Sequence, residues 1–509
     1  VHRPPTAEAE PAAELAAVRP SLGPRFTAEL PGARAAVLTR LWRALVHEPL
    51  PWIAHRAESA GESLLRLRDG RRLHGPRADP YATAAYVTQV RLDGVAYDDP
   101  ARLMRDLAVP HGAGFADELE NSTTSLALSR AGQEPGGIAT LKDPGEWPAH
   151  DWEWEQRVVD GHPYHPNCRS RPGFSVAEQL AYGPEHRPSV RLGLLPVPAG
   201  ECLVSGAWPR ELRDGDRLVI PVHPWQAAHV LGVSCEEAVA AHPLMSLRTL
   251  ALPGGPHVKT ALSTRLTSSV RDISVGSIAA SAALSAFAET LTPYTDGLLH
   301  MTRTLGAATA DSPDLAAVFR ESPRVFGAPG EHVVPVAALT GTGLPSSPVW
   351  LADFARLALT VGLRLLELGV ALEAHGQNLL VVLSATGAPL RLVYRDLADI
   401  RVSPARLARH GIALPDRLPE RIRTDDVTAL RRKLFGSLVA GALAGTAGDR
   451  PALRAALESA VRDLPGSPDL VALCEEPIPA KALTLMRLSA AAPGDRWALL
   501  PNPLTQDAC

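Results

Sequence analysis

The chain has 509 residues, 51 of them Lys or Arg and 55 Asp or Glu, giving a net charge of −4 with both signs interspersed. Such a length exceeds one simple core and implies two or three lobes sharing extensive interfaces, with room for a sizeable buried site, while the lack of a basic stripe argues against nucleic acid or an anionic membrane as partner. The five cysteines, Cys168, Cys202, Cys235, Cys474 and Cys509, are scattered without a CxxC pair, which speaks against a disulfide framework or zinc site and fits a cytoplasmic protein.

The first twenty or so residues, rich in Pro, Ala and Glu, read as loose and contain no apolar run of signal-peptide length. ARAAVLTRLWRALVHE (33–48) has helical periodicity, and SLLRLRDGRRLHG carries the Asp-Gly turn of a hairpin. Residues 130–150 read as a loop. RLGLLPV (191–197) and DRLVIPVHP (216–224) are expected strands, and TALSTRLTSS (260–269) a strand entering a loop. Helix is expected over 274–290, where VGSIAASAALSAFAETL is rich in small and hydroxyl residues and is not read as a membrane span. The last third is largely helical, at 351–372, 427–444, 451–463 and 480–489, with a hairpin inserted at 379–396. This is a mixed α+β pattern, divided at about residues 155 and 345 into an N-terminal, a middle and a helix-rich C-terminal region.

Arg has replaced Lys nearly everywhere: only Lys142, Lys259, Lys433 and Lys481 remain, and Asn occurs only at 121, 167, 378 and 502. Such drift is weakly opposed on a solvated surface but resisted where a compact ammonium or an amide is chemically required. The surviving positions therefore carry extra weight.

Three segments concentrate chemistry. In EAHGQNLLVVLSATGAPLRLVYRD (373–396), a hairpin brings the ends together, placing the Asn378 amide near the Asp396 carboxylate. These are hard oxygen donors of the kind that Mg-nucleotide sites use, and protein kinases arrange an Asn and a metal-binding Asp around a comparable hairpin. MSLRTLALPGGPHVKTALSTRLTSSVRDIS gathers Ser246, Arg248, Thr249, Lys259, Ser263, Thr264, Arg265, Thr267, Ser268 and Arg271. Two strands across the PGG turn would point Ser246 with Arg248, and Lys259 with Ser263 and Arg265, at an anion pocket. No Walker P-loop is present. GHPYHPNCRSRPGF (161–174) offers His162, His165, Arg169 and Arg171 from a proline-stiffened loop, better suited to substrate anions than to a metal, since no third ligand is nearby. HPWQ (223–226) reads as a helix start that packs Trp225.

In this order GHPYHP, HPWQ, the Lys259–Arg271 run with its TSSVR core, EAHGQN and YRD resemble the NRPS-independent siderophore (NIS) synthetases, the IucA/IucC family, over roughly residues 115–402. The resemblance implies a cupped-hand α+β fold with thumb, fingers and palm lobes, often a homodimer. It also implies an enzyme that adenylates a carboxylate with ATP and Mg2+, after which an amine or alcohol displaces AMP. On matching positions it makes Ser246, Arg248, Thr249 and Lys259 nucleotide-phosphate contacts, with Thr267, Ser268 and Gln377 in the same site. His162, Arg169, Arg271 and His375 would meet the carboxylate or the developing charge, and Asn378 with Asp396 would hold the metal. Arg169 stands where the family usually has Lys, and Asp399 where it often has Gly, which leaves the acid open among citrate, a citryl or succinyl monoamide and a 2-oxo diacid. Two other functions remain open: a kinase-like phosphotransferase releasing ADP, and a non-catalytic carboxylate or siderophore binder.

Overall fold

The long helix Gly23–His47 organises the first third, with one face (Phe26, Leu38, Leu41, Trp42, Leu45) buried. In the computed structural model, which describes residues 8–59, 61–134, 140–267, 269–415, 418–489 and 494–505, this face packs on a five-stranded antiparallel sheet and the helices Pro100–Leu107 and Gly112–Ala131. The Asp-Gly hairpin forms as expected, Glu62–Leu67 against Arg72–Pro76. Gly75 on its second strand is a packing requirement, because a Cβ there would lie 2.7 Å from the Trp42 ring. Residues 1–7 lie outside the described part, but the expectation of a loose start fails from Ala9 onward. Ala9–Val18 is helical, Leu15 is fully buried, and Glu8 pairs with Arg34. One buried leucine and a cross-helix ion pair outweigh the composition.

A nine-stranded antiparallel sheet forms the middle, and both expected strands, Val190–Pro198 and Arg217–Val222, pair directly within it. Thr249–Ala251 and His257–Thr260 form a hairpin across Pro253-Gly254-Gly255, with Thr249 opposite Lys259. Leu262–Leu266 does not run into a loop; it turns back at Thr267 (φ 58°) and pairs with Ser269–Arg271. Among the described residues one helical stretch, 275–295, is long and apolar enough to cross a membrane by length and composition. Here Ile278, Leu284, Phe287 and Leu291 are buried, and the helix contacts the Leu203–Gly206 and Thr304–Thr309 strands.

The C-terminal third is built on the helix Pro348–Leu368, whose apolar positions recur with helical period and are nearly all buried. It stops four residues before the expected end, because Gly369 adopts φ 101° and a Cβ there would meet Arg406 and Ser403 at 2.6 and 3.0 Å. The expected hairpin is present as Leu379–Leu383 and Pro389–Tyr394. It recruits Leu299–Met301 and His332–Pro335 from the middle of the chain into one four-stranded sheet. The expected helix at 427–444 passes through a wider π-type segment, Leu438–Leu443. The one expected over 480–489 begins only at Leu483, since Ile478–Lys481 is a strand paired with Trp497–Leu500. Tyr81, Trp154 and Tyr164, from the first third, sit in the C-terminal core, and Tyr81 Oη donates to Pro501 O at 2.8 Å.

Candidate active site

All three regions contribute walls to a cavity of about 1140 Å³. Its floor is the 249–260 hairpin. Lys259 projects from the middle of a fully buried strand, and its Nζ donates to Asp396 Oδ2 at 2.7 Å. Burial lowers the Lys259 pKa to about 8, with Arg248 and Arg320 adding to the depression and Asp396 opposing it. Ser246 and Arg248 do not lie on a strand. They sit in the tight turn before it, where Leu247 takes φ 60° and Ser246 Oγ accepts from Thr249 N at 3.3 Å. Arg248 donates to the carbonyls of Arg271 and Asp272, both at 2.8 Å, tying this turn to the 262–271 hairpin. Thr249, Thr267 and Arg271 line the cavity, while Ser268 lies outside the described residues. Ser263 and Arg265, expected on the Lys259 face, are not on the cavity wall. Ser263 bonds instead to Gln226 and Asp314, because the chain changes pairing partner after Thr260.

The turn His375-Gly376-Gln377-Asn378 forms the opposite lip. A Cβ at Gly376 would come within 3.1 Å of Ala337 N, whose N–H bonds the Gly376 carbonyl at 2.9 Å. The register of the following hairpin, Leu379 opposite Tyr394, brings the far strand back so that Arg395 N donates to Asn378 O at 3.0 Å. Asp396 then turns inward with φ 76°, its carbonyl accepting from Tyr394 Oη at 3.1 Å. Its carboxylate meets Lys259 and, at 3.6 Å, Arg320. Burial disfavours this charge, yet Lys259 and Arg320 hold the carboxyl far below the usual range. Asn378 and Asp396 thus share one edge of the cavity, as the hairpin argument requires.

The 161–174 loop supplies another wall. His162 Nδ1 accepts two backbone N–H groups, from Tyr164 and His165, at 3.1 Å each. His375 Nδ1 similarly accepts from Gln377 N at 3.3 Å. With Nδ1 occupied as acceptor, each neutral ring carries its hydrogen on Nε2, and burial depresses the pKa of both rings. Each neutral ring thus offers an Nε2–H donor. Arg169 also borders the cavity, but its guanidinium is engaged by the carbonyls of Val158 and Val159 and lies 3.6 Å from Glu185, which Arg171 binds at 2.8 Å. HPWQ stays off the cavity wall. Trp225 stacks on Phe174 at 4.9 Å, and Gln226 holds the strand containing Ser263.

Sequence reasoning overlooked a second charged group. Glu373 receives Lys481 at 2.7 Å and Lys433 at 3.1 Å, with Asp495 at 3.3 Å and 3.7 Å from the same two lysines. Burial disfavours the Glu373 charge, but the lysines bring its pKa down to about 2. Lys259, Lys433 and Lys481 all line the cavity, whereas Lys142 is exposed elsewhere. The scarcity of lysine is the available signal, and of these three only Lys259 lies in a segment rich in other site chemistry. Arg320 carried none, since it is one arginine among many.

Comparisons place this architecture. The solved structure of petrobactin biosynthesis protein AsbB from Bacillus anthracis superposes with a TM-score of 0.75 at 18% identity, covering 98% of each chain. ATP-bound aerobactin synthetase IucA from Klebsiella pneumoniae gives 0.66 at 18% identity, over 93% of this chain and 99% of that one. The fold is that of the NIS synthetases. The model of the IucA / IucC family matches residues 150–341, and that of the ferric iron reductase FhuF-like transporter matches 348–448, so the family resemblance read from the motifs is borne out. The citryl-spermidine/3,4-dihydroxybenzoyl-citryl-spermidine:spermidine ligase of B. anthracis is 26% identical over 48% of this chain and 51% of its own length. Staphyloferrin A synthase of Staphylococcus aureus is 23% identical over 49% and 52%. The alignments thus span about half the length of these curated relatives.

Proposed function

We propose that the protein is an ATP-dependent ligase that adenylates a small polycarboxylate or related acyl acid and joins it to an amine or hydroxyl, with release of AMP and pyrophosphate. One observation carries the reading: Lys259, Arg320, Arg248 and Arg271 converge with the Asn378–Asp396 edge in one cavity. Attack of a carboxylate oxygen on the α-phosphorus forces two anions together, and fixed cations lower that barrier without reorganising. Lys259, Arg248, Ser246, Thr249 and Thr267 would hold the phosphates. Arg271 and the Nε2–H groups of His162 and His375 would take the acid, with Gln377 fixing its lip of the site. Arg169 shapes this wall through Glu185 rather than offering a free guanidinium. The second step is attack of the acceptor on the acyl carbon, with loss of its proton and departure of AMP.

Mg2+ fits the donor set. Asp396 and the Asn378 amide supply two hard oxygens just beyond the paired ends of adjacent strands, and Mg2+ normally completes its shell with phosphate and water. When bound it would neutralise the phosphate charge; Lys259, now on Asp396, would then be released toward the nucleotide. Lobes at 1–155, 156–345 and 346–509, a homodimer and a cytoplasmic location belong to the same reading.

The test supplies purified protein with ATP, Mg2+ and hydroxylamine as surrogate acceptor, across citrate, succinate and 2-oxoglutarate, and follows AMP, ADP and pyrophosphate separately. AMP with pyrophosphate and one acid is the expected result. ADP would transfer the Asn378–Asp396 hairpin to a phosphotransferase, and no turnover with any acid or larger acyl conjugate would favour a binder.

A further inference from the structure

The short helix Asp151–Gln156 bears none of the residues assigned above, yet it is tied to the 245–248 turn, to the strand carrying Lys259 and, through Arg395, to the 375–378 turn. Trp154 is 2% exposed and packs edge-on against Trp147, rooting the helix in the C-terminal core. Asp151 Oδ2 lies 2.8 Å from His257 Nε2 and accepts from Ser322 Oγ at 2.6 Å, so the helix also grips the strand that carries Lys259 two residues later. From this mount the Glu155 side chain, 1% exposed, divides its two oxygens. Oε2 accepts from Met245 N at 3.0 Å, at the start of the Ser246–Arg248 turn. Oε1 accepts from Arg395 Nη1 at 2.6 Å, and the remaining nitrogens of Arg395 donate to the Gln377 carbonyl at 3.0 and 2.8 Å.

We infer that Glu155 is the positioning residue of this site: one buried carboxylate sets the anion-binding turn at 245–248 and, through Arg395, the 375–378 turn at a fixed separation. Among the described residues no other acceptor is bonded to Met245 N, and its neighbours Ser246 and Arg248 are the groups whose placement matters. Arg395 directly precedes Asp396, so the same contact fixes where the carboxylate edge begins. A neutral amide cannot replace it. Gln offers one acceptor and one donor, so either the Met245 N–H or the Arg395 guanidinium would face another N–H. Misplacement by about 1 Å in such a site costs about 100-fold in rate. The kinetic half of this inference rests on the ligase reading; the structural half does not.

The experiment compares the wild-type chain with Glu155→Gln, Glu155→Asp, Arg395→Met and the Glu155→Gln/Arg395→Met pair. Hydrogen exchange by mass spectrometry is read on peptides spanning 244–249 and 375–379, alongside AMP formation. In Glu155→Gln both peptides exchange at least about tenfold faster while the rest of the protein is unchanged, and kcat/KM falls about 100-fold. The double variant is no worse than the poorer single one, because both substitutions break the same link. Should Glu155→Gln not fold, Glu155→Asp keeps the charge but shortens the reach, and loosens 244–249 alone. Uniform acceleration, no acceleration, or additive effects of the two substitutions would overturn the assignment. A wild type that makes no AMP but shows the paired loosening would sink the ligase reading and leave Glu155 in place.

Discussion

Two charge clusters share the wall of one cavity, and they are balanced differently. Around Asp396 a single carboxylate faces Lys259 and Arg320, with Arg248 and Arg271 close by, so positive charge is in surplus. Around Glu373 two carboxylates, Glu373 and Asp495, answer two lysines, Lys433 and Lys481. A surplus held in low dielectric is an unfilled demand for anions, whereas a compensated cluster satisfies itself and yields only to a ligand that competes with its own pairs. The first cluster is therefore the one to expect under a triphosphate. The second is suited to tune what lies beside it.

The largest effect expected from breaking this contrast is at the surplus cluster. Lys259→Ala or Asp396→Ala should lower AMP formation about 100- to 1,000-fold, with Lys259→Arg recovering little because the bulkier fork cannot occupy the ammonium position. Loss below about tenfold in quench-flow assays would deny the cluster its role. At the balanced cluster, Lys433→Met should raise KM for the acid about tenfold, the scale of one charge-assisted hydrogen bond, while leaving ATP affinity by calorimetry within about threefold. A change in ATP affinity instead would merge the two clusters into one site.

A third test uses pH. Glu48 is buried, and burial raises its pKa to about 7 although the N–H groups of Leu485 and Thr484 favour its charge. It holds the start of the helix Leu483–Leu488, just after Lys481. Because the folded pKa lies above the unfolded value, its contribution is fully present below about pH 4.5 and is lost as pH rises through about 7, a swing of about 3 kcal/mol. Wild type should therefore lose more melting temperature between pH 5 and pH 8 than Glu48→Gln; parallel curves would remove Glu48 from the account. The smallest effect is expected at Asp495→Asn, where a part-exposed carboxylate 3.3 Å or more from its partners should shift KM for the acid by no more than about threefold.

Legibility in the sequence followed locality. The 379–396 hairpin was readable because its strands are contiguous apolar runs with a Gly-Ala-Pro turn between them, and its register alone aligns Asn378 with Arg395 and Asp396. The PGG hairpin placed Thr249 opposite Lys259 in the same way. Helix ends were less legible. Pro348–Leu368 stops where Gly369 must clear Arg406, a residue about forty positions away whose approach no local pattern announces. Ser263 and Arg265 failed for a related reason: alternation predicts a shared face only while the strand keeps its neighbours, and this one changes partner after Thr260. The start of the chain failed by composition, since a Pro/Ala/Glu-rich stretch is loose only if nothing buries its leucine.

The amino-acid sequence by itself determined the motifs, their order, the family they resemble and, through its near-absence of lysine, which ammonium groups deserved attention. These are properties of residue identity and short spacing, which local sterics and chemistry read directly. Only the tertiary structure decided that Lys433 and Lys481 join Glu373, that Arg320 reaches Asp396, and that Arg169 is engaged by Glu185 and two carbonyls. It alone brings Glu155 between Met245 and Arg395, which are 90 and 240 residues away along the chain. Charges so far apart in sequence meet only once the cores have packed, and where they meet is set by those cores, not by their own affinity for one another.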